Sequence, residues 1–358
     1  MKTPDSYYAQ QQKEKTKYLN TLLQRLPAFA KDYFHYIDQN TSVNTQVAYA
    51  GNIILFFEFL IQSNPQYKNY QTTDFKLADL ERLHSSDIEE YKRYLKVYEQ
   101  NGHEWTNSEK GISRKMSALR SFYAYFQKHE YIEKNPTLYV DMPKLHEKEI
   151  IRLDPDEVAM LLDYIEDGGE MTQQQQAYHA KNKVRDLAIF TLFLGTGIRV
   201  SELVGLDIGD VDFKNNSIKV TRKGGNEMFV YFGEEVQEAL EDYIVSIRSH
   251  IEPCEGHENA LFYSTQRKRI TVRAVQNLVS KFSSHITNKH ITPHKFRSTY
   301  GTTLYKETGD IYLVADVLGH KDVNTTRKHY AALDDEHRRK AATAVTLREK
   351  VVEESHNK

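Results

Sequence analysis

Apolar side chains recur at helical intervals along most of this chain. Spaced apolar positions run from Leu22 to Ile37, and Asn44-Thr45 precede Tyr49, Ile53, Phe56, Phe57 and Leu60, which share one face of a helix. Ser86 reads as the N-cap of a helix over Asp87–Tyr98 that turns Ile88, Tyr91 and Leu95 inward. A fourth helix over Ser108–His129 holds Ile112, Leu119, Phe122 and Phe126. Together these predict a four-helix domain over residues 22–140, after a polar, Gln- and Lys-rich leader at residues 1–21.

Asn135-Pro136, Pro143 and the charged run Lys144 to Glu149 break that pattern, which places a linker at residues 141–152. A second domain is then expected over residues 153–337, with a tail at 338–358. Asp154 can cap its first helix, and Pro155 suits the first turn. The polar stretch Asp167 to Lys181, with four consecutive glutamines, reads as a surface loop or insertion. From Val184 to Leu194 nearly every side is apolar, as in a helix buried within a domain. Val211–Phe213, Ser217–Arg222 and Glu227–Phe232 look like short strands joined by turns at Asn215-Asn216 and Gly224-Gly225. Helices follow over Val236–Ile247, from Thr271 to Phe282 and from Thr292-Pro293, with Gly309 and Gly319 as stops. The fold class predicted is mainly α, with a small antiparallel β-sheet in the C-terminal domain.

A length of 358 residues allows two domains, each with its own core. The 48 Lys+Arg against 50 Asp+Glu exclude a basic-tail protein and an acidic disordered chain, so nucleic-acid binding must rest on local clusters. Cys254 is the one cysteine, which excludes a disulfide scaffold and a Cys-based zinc site. The first residues lack the apolar core of a signal peptide, and no stretch reaches the roughly 18 apolar residues of a membrane span. A soluble, cytoplasmic protein is expected, without a membrane partner.

Four groups of residues carry chemistry. Arg199 follows the all-apolar helix, where a guanidinium needs a carboxylate or phosphate; pairing with Glu202 as a structural ion pair is the plain alternative. His294 and Arg297, three apart after Pro293, share a helix face near free backbone donors, although many such pairs are simply solvated. Gly319 lets the chain turn so that His320 can face a cleft, and Tyr330 follows on a short segment capped by Thr325 or Thr326. Tyr330 is one of 24 tyrosines, so packing is its ordinary role. Lys223 sits in the turn between two strands, where most lysines are solvated. Taken together, the arginines can grip non-bridging phosphate oxygens, the histidines can donate or shuttle protons, and cations can favour a tyrosine phenolate. That is phosphodiester chemistry without a metal or cofactor. No His-Glu-x-x-His, Cys pair or Gly-rich phosphate loop supports another chemistry.

The order Arg199, Lys223, His294-x-x-Arg297, His320, Tyr330 resembles the tyrosine recombinase (phage integrase) family. The stretches from Asn44 to Leu60 and Ser113 to Tyr123 are similar to its core-binding domain, and Arg152 to Glu157 to the start of its catalytic domain. Within the family the likeness is to Xer recombinases of the XerS type. The resemblance implies a two-domain DNA clamp in which Tyr330 attacks a DNA phosphate, forming a 3′-phosphotyrosyl link. It implies that Arg199, Arg297 and His320 hold the phosphate, His294 assists proton transfer, Lys223 is the general acid and Glu202 orients the site. It also implies a homotetramer on two DNA duplexes, resolution of chromosome dimers at a dif-like site, and dependence on the translocase FtsK. Tyr330 lies ten residues after His320, where many members have nine, so the register of its helix is open. The tail would dock on a neighbouring protomer or be disordered.

Two basic clusters are candidates for DNA contact: Lys110, Arg114, Lys115 and Arg120, and Arg267-Lys268-Arg269 with Arg273. Solvated faces are the alternative for both. A mobile-element or phage integrase, and a non-catalytic sequence-specific DNA-binding protein, remain the competing functions.

Overall fold

The computed structural model describes residues 6–100, 102–146, 151–169, 171–222, 225–320 and 323. Lys223, Tyr330 and the tail at 338–358 lie outside the described residues. The chain divides into two compact units, Met1–Lys148 and Glu149–Lys358.

Helices dominate the first unit: α1 (Tyr7–Leu23), α2 (Ala30–Asp38), α3 (Val43–Ser63), α4 (Leu77–Arg82), α5 (Ser85–Tyr94) and α6 (Glu109–Lys128). The expected leader is largely helix α1. Ser6 caps it by accepting the Ala9 N–H, and Leu19 and Leu22 are buried where it packs on α3. The helix expected over Leu22–Ile37 is broken in two, because Pro27 lacks the N–H that a continuous helix needs. Asp87, rather than Ser86, organises the start of α5 by accepting the His84 N–H at 2.7 Å. That helix stops at Tyr94, and the chain enters an antiparallel hairpin of β1 (Val97–Gln100) and β2 (His103–Thr106) that has no counterpart in the sequence reading. The core is aromatic. Phe56, Phe57, Tyr91, Phe122 and Phe126 are fully buried, and Phe122 meets Phe126 edge-on at 4.9 Å.

The second unit holds α7 (Pro155–Asp167), α8 (Gln173–Thr196), α9 (Val200–Gly205), β3 (Val211–Asp212), β4 (Ser217–Thr221), β5 (Glu227–Tyr231), α10 (Glu234–Asp242), α11 (Val272–Ile286), α12 (Pro293–Thr308) and α13 (Ile311–Leu318). The three strands form one antiparallel sheet in the order β3-β4-β5. The expected Gln-rich loop is the first turns of α8. Thr172 and Gln175 cap each other reciprocally, the Thr172 N–H donating to Gln175 Oε1 at 2.9 Å. Residues 173–178 are exposed on every side, so they show no apolar stripe although glutamine favours helix.

Beyond them α8 is buried. Ala188, Ile189, Phe190, Leu192 and Phe193 have essentially no exposure, and α7, α10 and α12 pack around the helix. Phe296 of α12 meets both Phe190 and Phe193, at 5.4 and 6.1 Å between ring centres. Lys289 binds the start of α7 to the segment before α12, reaching Glu157 at 2.7 Å, Asp154 at 2.9 Å and the Arg152 carbonyl at 3.2 Å. Thr299 accepts the Leu153 N–H at 3.0 Å, fixing the first residues of the unit to α12.

Candidate active site

The C-terminal ends of α8 and α13 meet the middle of α12 at Gly197. This residue closes α8 in the left-handed conformation, with φ of 63°, and a Cβ there would stand 2.5 Å from the Tyr300 ring of α12 and 3.1 Å from Leu318. Only glycine permits this approach, and it delivers Arg199 to the mouth of the junction two residues later.

Arg199 begins α9. Its backbone N–H and its Nη1 both donate to the Glu202 carboxylate, at 2.8 and 2.7 Å. The Glu202 side chain is 2% exposed and that of Arg199 is 36% exposed. The ion pair named above as the plain alternative therefore exists, yet it leaves one side of the guanidinium open. A buried carboxylate holds the arginine from behind, and a guanidinium has five N–H donors to share.

Arg297 lies on α12, 4% exposed. Its Nη1 donates to the Gly197 carbonyl at 2.7 Å and its Nη2 to the Leu318 carbonyl. Last-turn carbonyls of a helix have no partner in their own helix, and the dipole makes that end negative, so a cation is well placed there. Three residues earlier His294 occupies the first turn of α12 and is exposed. Gly319 ends α13 with φ of 59°, and His320 follows, half-buried, its N–H donating to Ala315 O at 2.8 Å. Arg297 is thus tied to the ends of α8 and α13, with Arg199 two residues after the first end, His320 two residues after the second, and His294 one turn before Arg297 on α12.

A third arginine belongs to the junction and was not singled out from the sequence. Arg222, just past β4, donates Nη2 to the Val317 carbonyl at 2.9 Å and lies against Gly319. Burial lowers its pKa, the negative charges of Glu202 and Asp316 raise it, and Arg199 lowers it. Local pattern does not distinguish Arg222 from Lys223, since both are cations in one turn; only a contact spanning 95 residues marks it.

The basic clusters divide. On α6, Lys110 and Arg114 are exposed on the same face as Ser117. Lys115 is turned aside, donating to Asn107 Oδ1 at 2.8 Å, and its pKa is lowered by burial and by the neighbouring Arg114. Arg120 points inward and donates to the Val140 carbonyl, so its place is structural rather than on the exposed face. Arg267, Lys268 and Arg273 are exposed, whereas Arg269 is spent on Asp207 and on the carbonyls of Val204 and Leu206. Among the described residues no cluster of His, Cys, Asp or Glu could hold a metal ion, and no helix is long and apolar enough to cross a membrane.

Three arginines with two histidines beside them, and a buried carboxylate behind Arg199, can receive an anion. Known proteins point the same way. The tyrosine recombinase XerC of Caldanaerobacter subterraneus subsp. tengcongensis is 33% identical over 328 residues, covering 88% of this chain and 86% of that protein. The tyrosine recombinase XerS of Lactococcus lactis subsp. cremoris is 31% identical over 335 residues, 87% of this chain and 93% of that protein. The solved structure of the Tn1549 transposon integrase with transposon right end DNA shares the fold, with a TM-score of 0.63 at 22% identity over 87% of this chain and 98% of that one. The profile of the phage integrase family matches residues 151–337, the span that contains every element of the junction. This chain belongs to the phage integrase family and is a tyrosine recombinase.

Proposed function

We propose that this enzyme cuts and rejoins duplex DNA at a specific site through a covalent 3′-phosphotyrosyl intermediate. The observation that carries the proposal is Arg199, fixed by a buried carboxylate while its outer side stays open. Held in advance, a guanidinium need not reorganise as charge builds on the phosphate, which is how such groups stabilise a transition state. Arg199 and His320 then bind the non-bridging oxygens, and Arg297 joins them from inside the protein. Tyr330 supplies the nucleophile, with cations lowering the cost of its phenolate. His294 handles the nucleophile's proton, and Lys223 protonates the departing 5′ oxygen. The covalent link conserves the bond energy, so neither a metal nor a nucleotide cofactor takes part.

Four protomers on two duplexes, acting in pairs, fit this chemistry, because each cut strand must be joined to a strand from the other duplex. Each protomer would hold one side of the duplex with its first unit and the other with its second. Lys110 and Arg114 on α6, and Arg267, Lys268 and Arg273 before and within α11, would contact phosphates. A dif-like target, chromosome-dimer resolution and activation by FtsK complete the proposed reading. A nicked suicide substrate tests the chemistry. The parent protein should accumulate a covalent protein–DNA complex and Tyr330→Phe none; absence of the complex with the parent would leave only a DNA-binding role.

A further inference from the structure

One side chain fastens the turn after β4 to α13, and it belongs to the residue directly before Lys223. Arg222 is held at both ends. Its backbone N–H donates to Asn226 O at 2.7 Å and its carbonyl accepts the Gly225 N–H at 3.0 Å, which locks it into the turn. Its guanidinium donates to Val317 O at 2.9 Å and presses so closely on Gly319 that a Cβ there would fall 0.8 Å from Nη1. Nε is buried and has no hydrogen-bond partner among the described residues. An unsatisfied buried donor is a cost that an apolar side chain of similar size would avoid. Arginine at this position therefore serves something other than packing.

We infer that Arg222 is a positioning residue: by pinning the base of its turn to the last turn of α13, it fixes Lys223 and His320 relative to each other. The inference rests on the reading above in which Lys223 is the general acid. In the cleavage step the Tyr330 phenolic oxygen forms a bond to phosphorus, the P–O5′ bond breaks, and the electron pair left on O5′ takes a proton from the Lys223 ammonium. With the turn unpinned, the phosphate is still gripped but the proton arrives poorly aimed.

The test compares single-turnover cleavage of an ordinary suicide substrate with the same DNA carrying sulfur at the 5′ bridging position, whose thiolate leaves without a proton. Arg222→Ala should slow covalent-complex formation about 100-fold on ordinary DNA, the scale of general-acid catalysis, and recover to near the parent's rate on the sulfur substrate. Lys223→Ala should show the same pattern. Arg222→Lys keeps the charge but not the planar fork, so it should behave more like the alanine variant than like the parent, and it serves if the alanine variant melts early. Equal slowing on both substrates, or no slowing on either, overturns the inference. A parent protein that forms no Tyr330-dependent complex on either DNA overturns the recombinase reading itself, an outcome separate from any behaviour of Arg222.

Discussion

Glu202 accepts two hydrogen bonds from one residue, and both hold Arg199 still. Glu202→Ala should therefore slow strand cleavage by about 10–100-fold, as expected when a transition-state donor is left unsupported, while DNA affinity stays near the parent's in a gel-shift titration. Elsewhere a buried pair is purely architectural. Arg185 donates through Nε and Nη2 to Asp186 Oδ1 at 2.9 and 2.6 Å and through Nη1 to the Tyr263 carbonyl. Asp186→Ala leaves that cation uncompensated and should cost about 3–5 kcal/mol in urea unfolding. The pairing of Arg199 with Glu202 was legible because three residues on a helix bring side chains together. Arg222 was not, since its partners are on a helix far along the chain, and Arg120 misled because a helical basic residue can reach inward to a carbonyl as readily as outward.

At the level of elements, helices with one apolar face were readable, and so was α8 beyond Val184, where burial on all sides leaves an apolar run. The three short strands were legible from their turns. What escaped were elements whose polarity hides their geometry. Tyr7–Leu23 buries only Leu19 and Leu22, and the first turns of α8 bury nothing before His179. The β1–β2 hairpin has an almost wholly exposed second strand, so alternation is absent. Capping supplies what pattern lacks. Thr172→Ala should lower the stability of the amino-terminal turns of α8 by about 1 kcal/mol, and hydrogen exchange at residues 176–180 should quicken while the rest of α8 is unchanged.

The catalytic unit as a whole carries a pH dependence traceable to Lys289. Its hydrogen bond holds Asp154 below the usual carboxylate range; for Glu157, burial pushes upward, but hydrogen bonds from Lys289 and the Asp154 N–H win and the pKa falls. The same bonds to Glu157 and Asp154 raise Lys289. Depressed carboxylates stabilise fully above their unfolded values and lose that contribution as pH falls through the folded ones; a raised lysine stabilises fully below its unfolded value and loses it as pH rises. Lys289→Ala should thus unfold more easily than the parent by about 0.5–1 kcal/mol between roughly pH 5 and 10, since these pairs are partly exposed. The gap should close in acid and in strong alkali. In the proposed DNA complex, Arg114→Ala should weaken binding across all sequences and reduce the salt dependence by about one counterion. Arg297 makes the most general point about this architecture. Because it ties the carbonyls of Gly197 and Leu318 into one junction, its loss would be felt by the folded state before any DNA arrived. A decayed descendant that had abandoned strand exchange would still be obliged to keep an arginine there, whereas position 199, a third of it open to water, would be released to drift; of the two, only the outer arginine is a witness to living chemistry.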